Sequence, residues 1–125
     1  MDRLTRAEEE IMKCIWSLEK GFLKDIVEVF PEPKPAYPTI ASVIRVLIKK
    51  GFIAYKQYGN NREYYPKITK SEYFRIHFKN IVTNHFNNSY KSLVSFFADD
   101  DNLSISELEE IKNIANNNIL KRKKA

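Results

Sequence analysis

Apolar positions recur along this chain with two periods, and the switch between them separates helices from a hairpin. Ile11, Ile15 and Leu18 follow at helical spacing behind Thr5-Arg6-Ala7-Glu8. That tetrapeptide has capping-box form, in which the threonine hydroxyl accepts from the third helical amide and the glutamate reaches back to the cap. A first helix is predicted from about Arg6 to Leu18. Gly21 ends the connection, and "FLKDIVEVF" predicts a short second helix, about Leu23 to Phe30, burying Ile26, Val27 and Phe30. Four prolines in "PEPKPAYP" then prevent continuation, since proline lacks an amide proton and biases its predecessor toward extended backbone.

A third helix opens at Pro38, whose missing donor is harmless in a first turn, and reaches about Lys50, where Gly51 supplies a left-handed terminus. Wound at 100° per residue, Ile40, Val43, Ile44 and Leu47 form one stripe, and Thr39, Ser42, Arg45, Val46 and Lys49 lie around the other side. The first stripe is core; the second is available for something else. Period two follows in "FIAYKQY" and "REYYPKI", separated by "GNN", a hairpin in which Pro66 places its strand at an edge or marks its end. Helix, helix, helix, hairpin is the element order of a winged helix, with the third helix as reader and the hairpin as wing.

Beyond Ile68 the helical period returns. Thr69-Lys70-Ser71-Glu72 repeats the capping box and opens a helix to about Asn87 with Phe74, Phe78, Ile81, Val82 and His85 on one side. Tyr90 to Ala98 is a short apolar helix, "DDDN" interrupts, and Ser104-Ile105-Ser106-Glu107 caps a last helix carrying Leu108, Ile111, Ala115 and Ile119. Three such helices cannot readily close a core of their own, which points to a core shared between two copies. The fold expected is therefore mostly α: a winged-helix domain over residues 1–70, a helical dimerisation region over 71–120 and a basic tail over 121–125. Phe74, Phe78, Ile81, Leu93, Phe97, Leu108 and Ile111 are the expected dimer contacts, with His85 packed among them and the "KRKK" tail a solvated, frayed end.

Charge sharpens this division. From Ala36 to Lys70 seven basic residues meet one acid, Glu63, whereas from Ser71 to Leu120 four basic residues meet seven acids. The first half would face a polyanion while the second has another task. Thr39, Ser42, Arg45 and Lys49 offer hydroxyl and cationic donors suited to phosphate oxygens and base edges, and Lys56, Asn60 and Arg62, with Asn61, add donors on the wing. Duplex DNA is the expected partner. A protein partner is the competing class, and Val46 on the outer face would suit an apolar contact. Salt separates the two, because each neutralised phosphate releases counterion with a slope near −0.9 per contact.

Enzyme chemistry finds no support. His77 and His85 are two turns apart on one helix, too far to share a metal without other ligands, and Gly21, Gly51 and Gly59 form no phosphate loop. Cys14, at helical spacing beside Ile11, Ile15 and Leu18, is a packing residue, and Trp16 is a core anchor. No cofactor is expected. No run approaches the ~20 apolar residues of a membrane-spanning helix, and "MDRLTRAEEE" has no signal-peptide character, so a cytoplasmic location is expected.

Several stretches carry a family resemblance. "TRAEEEIMKCIW" resembles the opening helix of the penicillinase-repressor family, the BlaI and MecI type, with Ala7, Glu8, Met12, Ile15 and Trp16 in matching places. "TIASVIRVLIKKGFI" is similar to its recognition helix and turn, and "SLV" followed by "FFADDDNLSISELEEIKNI" to its C-terminal dimerisation region, so the likeness runs from about Leu4 to Leu120. It implies a homodimeric transcriptional repressor on a dyad-symmetric operator, inactivated when a membrane-bound sensor peptidase, or a protease depending on it, cuts the C-terminal region. The family has basic residues at the places of Pro38, Ala41 and Val46, so Thr39 and Ser42 carry over and those three do not; its scissile bond follows an asparagine where this chain has Phe96, giving Phe96-Phe97. A copper-sensing relative uses a C-terminal cysteine cluster. This chain has no cysteine after Cys14, hence none of the thiolates that Cu(I) requires.

Overall fold

The computed structural model describes residues 3–125, which form six helices and three strands in two compact units divided after His77. In the first unit α1 spans Arg6–Leu18, β1 Gly21–Phe22, α2 Leu23–Val29, α3 Tyr37–Lys49, β2 Ile53–Tyr58 and β3 Asn61–Pro66. The expected capping box opens α1: the Glu8 amide donates to Thr5 Oγ1 at 3.2 Å and the Thr5 amide to Glu8 Oε1 at 2.8 Å. At α2 the Asp25 carboxylate accepts from the Phe22 amide at 2.9 Å.

Gly51, at φ 85°, ends α3 as expected, and the bonds around it explain why. The Phe52 amide donates to the Leu47 carbonyl and the Gly51 amide to the Ile48 carbonyl, both at 3.0 Å, the Schellman pattern that a left-handed residue permits. Leu47 and Phe52 are both buried, which adds the apolar contact that accompanies this motif.

The sheet differs from the expected lone hairpin. Its order is β1-β3-β2, antiparallel throughout, so β3 is central and Pro66 marks that strand's end rather than an edge. The strand β1 has two residues with no periodic signal; it exists because Gly21 and Phe22 pair with Tyr64 and Glu63. A Cβ at Gly21 would meet Leu18 Cδ1 at 3.2 Å and Asp25 Cβ at 3.3 Å, so close helix packing makes a larger residue there unfavourable. The hairpin turn is two residues, Gly59-Asn60, with Asn61 inside β3; Gly59, at φ 58°, holds the first turn position, where tight hairpins favour glycine.

The core of this unit draws on all three helices and the wing's base: Ile11, Met12 and Ile15 from α1, Ile26 from α2, Ile40, Ile44 and Leu47 from α3, and Phe52 and Ile53 at the start of the hairpin. Cys14 is buried among them, as expected, and burial first, then the Glu10 charge, pushes its thiol above the usual range. Trp16 packs against this core, and its indole donates to the Ile68 carbonyl at 2.9 Å.

The first unit also takes in the start of α4, Lys70–His85, beyond the boundary expected after residue 70. Tyr73 is the reason. It is buried beside Phe52 with ring centroids 6.1 Å apart, beside Trp16 at 5.6 Å, and its hydroxyl accepts from the Leu4 amide at 3.2 Å. Of the repeated capping box only the threonine half forms, with the Glu72 amide donating to Thr69 Oγ1 at 3.0 Å.

The second unit holds the rest of α4, then α5, Tyr90–Ala98, and α6, Ile105–Lys124. Asn87 and Asn88, at φ 52° and 60°, stop α4 two residues short of the expected end, because successive left-handed residues cannot continue the helix. Ser89 caps α5 and Ser104 caps α6, the latter with Glu107 as a full capping box. The last helix runs through Lys121–Lys124, so the tail is not frayed. Val82 and Leu93 are buried in the single chain, and no side chain of α6 is. Of the expected dimer contacts Leu93 is thus already covered within the chain, and His85 is exposed rather than packed.

Candidate nucleic-acid interface

With Ile40, Ile44 and Leu47 anchored in the core, Thr39, Ser42, Arg45, Val46 and Lys49 are all turned to solvent on one side of α3. One guanidinium nitrogen of Arg45 donates to Ser42 Oγ at 3.0 Å, bracing the cation along the helix surface. Arg45 then faces the wing across a cleft of about 870 Å³, whose walls also include Lys24 from α2, Tyr37 and Ala41 from α3, and Gln57, Asn60, Asn61 and Arg62 from the hairpin. Three cations and no acid line it. Such a cleft concentrates field lines of one sign and raises the local density of anions.

On the wing, register decides which donors enter this cleft. Gln57 pairs with Arg62 and Tyr55 with Tyr64, so these four share a face, whereas Lys56 pairs with Glu63 on the other. The Arg62 guanidinium lies over the Tyr55 ring at 4.3 Å, and its Nε donates to Gln57 Oε1 at 3.4 Å. Gln57 is itself held by donating from Nε2 to the Gly59 carbonyl at 2.8 Å. Turn, amide and aromatic ring thus hold Arg62 in a fixed posture, which reduces the side-chain entropy lost on contact. Lys56 sits instead over Tyr58 at 5.3 Å, on the face away from Arg62. Of the expected wing donors, Asn60 and Arg62 are brought together with Arg45; Lys56 is not.

Lys50 is also withdrawn from the basic surface. Its Nζ donates to both oxygens of buried Glu8, at 2.8 and 3.0 Å, tying the end of α3 to the start of α1. Burial alone would raise the Glu8 pKa, but the Lys50 ammonium and the Thr5 bonds outweigh it and hold the carboxyl below its ordinary value. The capping glutamate therefore serves as a cross-brace, and the basic surface is one charge weaker than the sequence window counts.

Lys24, Tyr37 and Gln57 were not anticipated here. Lys24 falls on a short helix outside the basic window, and only the packing of α2 beside the wing brings it to the cleft. Strand alternation opposite Arg62 was the available signal for Gln57. Among the described residues no group of three or more histidines, cysteines or carboxylates could hold a metal, and no helix is long and apolar enough to cross a membrane. His77 is half-buried against Tyr73, ring centroids 4.2 Å apart, and its Nε2 has no partner among the described residues.

The sequence model of the penicillinase repressor family matches residues 4–117, nearly the whole chain. The chain belongs to the penicillinase repressor family. Methicillin resistance regulatory protein MecI of Staphylococcus aureus strain N315 is 32% identical over 114 residues, 90% of this chain and 93% of MecI. The penicillinase repressor of Bacillus licheniformis is 27% identical over 113 residues, 90% of this chain and 88% of that relative. Among solved structures, the solution structure of the DNA-binding domain of the repressor BlaI superposes with a TM-score of 0.51 at 29% identity, covering 57% of this chain and 88% of that one. The winged-helix architecture of the penicillinase repressor family is thus present, and the BlaI domain is a solved counterpart of its N-terminal fold.

Proposed function

We propose that this protein is a homodimeric transcriptional repressor, not an enzyme, that works in the cytoplasm on a dyad-symmetric DNA operator. The observation that carries this is the acid-free cleft between the exposed face of α3 and the braced Arg62 of the wing, in a chain similar to proteins named as a penicillinase repressor and as the repressor BlaI. Thr39, Ser42, Arg45 and Lys49 enter the major groove, where hydroxyls and a guanidinium match base-edge acceptors. Asn60 and Arg62 grip the adjoining strand, with Lys56 reaching phosphate around the far side of the wing. Phe74, Phe78, Ile81, Phe97, Leu108 and Ile111 meet a second copy, and Leu93 supports that surface from beneath. Phe96, 68% exposed near the end of α5, and Phe97 offer the bond at which a membrane-bound sensor peptidase, or a protease depending on it, disables the dimer.

Selecting bound sequences from a random duplex pool tests the proposal. A palindromic consensus whose half-site centres lie about 34 to 36 Å apart, or a multiple of that, supports it. Binding that selects no sequence, or that hardly changes with salt, defeats it. The second outcome favours a protein partner instead, for which Val46, 43% exposed on the same face, is the natural contact.

A further inference from the structure

Beside the outer face of α3, the N-terminal unit is not fully closed. A groove of about 370 Å³ lies where the first turns of α1 and α3 meet the connection between α2 and α3. That connection is rich in proline and supplies no helix to seal the gap. Buried Ile11, Phe30 and Ile40 form the floor of the groove, and Ala7, Pro35 and Val43 form its walls. Three polar residues also border it: Arg6 and Glu10, four apart on α1, and Thr39 on α3. Glu10 is drawn to Lys13, 3.6 Å away, whereas Arg6 makes no ion pair among the described residues. The result is an apolar slot with one uncommitted cation and one hydroxyl at its exposed rim.

We infer that this groove binds a small apolar carboxylate, one ring carrying a short acidic arm, and that its occupation lowers the affinity of α3 for DNA. The site stands on the geometry of the N-terminal unit; its effect on DNA rests on the repressor function proposed above. Size sets the ring, since an apolar cavity of about 150 Å³ already takes benzene, and a groove of about 370 Å³ lies at the low end for small-molecule sites. Charge sets the arm. A guanidinium matches a carboxylate in planar, two-bonded geometry, and the Thr39 hydroxyl can donate to the same group. A cationic ligand would meet Arg6 with like charge, while Glu10 is already engaged by Lys13. Thr39 links the groove to DNA: it stands in the first turn of α3, on the border between the groove and the exposed face. Its single O–H cannot donate to a ligand and to a base edge or phosphate at once. A bound carboxylate also adds negative charge beside a surface that must meet phosphates. Ligand and DNA therefore oppose one another, and by linkage each weakens the other by the same factor.

Titrating the isotope-labelled full chain with phenylacetate, followed by amide NMR shifts, tests the site. Saturable shifts centred on Ala7, Ile11, Thr39, Ile40 and Val43 are expected, with a Kd on the order of 1 mM for a ligand of about ten non-hydrogen atoms. Acetate has the charge without the ring and benzyl alcohol the ring without the charge; each should bind about threefold more weakly or worse, as should phenylacetate to Arg6→Gln. Ala7→Leu fills the slot from the exposed side of α1 and should abolish binding, with operator affinity in the absence of ligand unchanged. Saturating phenylacetate, against acetate as the ionic control, should lower operator affinity about fivefold or more in the unsubstituted chain and leave Ala7→Leu unaffected. No saturable shift at about 10 mM, or shifts that persist in Ala7→Leu, overturns the site. Shifts at Ala7 and Ile11 that follow protein concentration without ligand would mean that a second copy fills the groove, and overturn it too. Benzyl alcohol binding as tightly as phenylacetate overturns the part given to Arg6. Phenylacetate bound in the groove with operator affinity unchanged overturns the effect on DNA. Phenylacetate bound by a chain that binds no duplex overturns the proposed repressor function and leaves the site standing.

Discussion

The N-terminal unit withdraws Ile11, Met12, Ile15, Ile26, Ile40, Ile44 and Leu47 from solvent, whereas the C-terminal unit leaves Phe78, Ile81, Phe97, Ile111, Ile114 and Leu120 open to it. Both are rich in apolar residues, so the contrast is one of closure. Three helices and a sheet surround a common interior in the first; in the second, α6 has no buried side chain. Exposed apolar surface on this scale marks an interaction site. The first unit buries the inner face of α3 by itself, whereas the second leaves most of its apolar side chains outside any core.

Single substitutions should separate the two. Leu47→Ala removes a fully buried side chain and should destabilise the N-terminal unit by about 2 to 5 kcal/mol, read by urea denaturation. Ile111→Ala, matched in chemistry but 44% exposed, should leave that transition in place and act on self-association, as a shift in dimer dissociation by sedimentation. If Ile111→Ala destabilises a dilute monomeric sample as much as Leu47→Ala does, the C-terminal unit is closed by itself and the contrast collapses.

A smaller effect concerns how the first unit is braced. Glu8→Gln keeps an acceptor for the Thr5 amide but removes the charge facing Lys50, and should cost about 1.5 to 3 kcal/mol at neutral pH. Because the folded carboxyl is held below its ordinary value of 4.5, its contribution is fully present above that pH and is lost as pH falls through the lower folded value. The gap between wild type and Glu8→Gln should therefore be wide at pH 7 and close below pH 4.5. A gap of constant width from pH 7 to pH 3 would mean that the carboxylate charge contributes nothing.

The contrast between units also governs how much the sequence disclosed. Capping residues and helix stops are local, so α1, α3 and α5 were legible to within a residue or so from Thr5, Pro38, Gly51 and the apolar run at 90–98. The two-residue β1 was not, since it is defined by pairing with β3 alone. In α4 one apolar stripe was expected, yet the buried residues Tyr73 and Val82 lie nine positions apart, on opposite sides of an ideal helix. Each half of α4 buries a different face, and no single stripe can describe that. The outer face of α3 was readable because its inner face was. The cleft was only half readable: Lys24 and Gln57 reach it through packing, and Lys50 leaves it through an ion pair with a residue 42 positions earlier.

On DNA, the two arginines of the cleft should fail differently. Arg45→Ala should cost about 1 to 3 kcal/mol on the selected operator and relax preference at one base pair, as expected when a bidentate guanine contact is lost. Arg62→Ala should weaken operator and random duplex alike and lower the salt slope by about one. Competition binding at several salt concentrations measures both, and an Arg45→Ala protein that discriminates as well as wild type would refute the assigned role.

The smallest expected effect tests whether the wing is built or merely charged. Arg62 stays cationic in Tyr55→Leu but loses the ring on which it rests, an interaction worth about 0.5 to 1 kcal/mol at an exposed site. Tyr55 also meets Tyr64 edge-on at 6.1 Å, so leucine removes one aromatic pair from the sheet while preserving an apolar side chain. If the ring serves to hold the guanidinium in place, affinity should fall severalfold while the salt slope remains that of wild type, because the number of neutralised phosphates is unchanged. A slope that drops by about one, as in Arg62→Ala, would instead mean that the freed arginine no longer reaches its phosphate. The ring would then be what places the charge, and the wing a built site rather than a merely charged one.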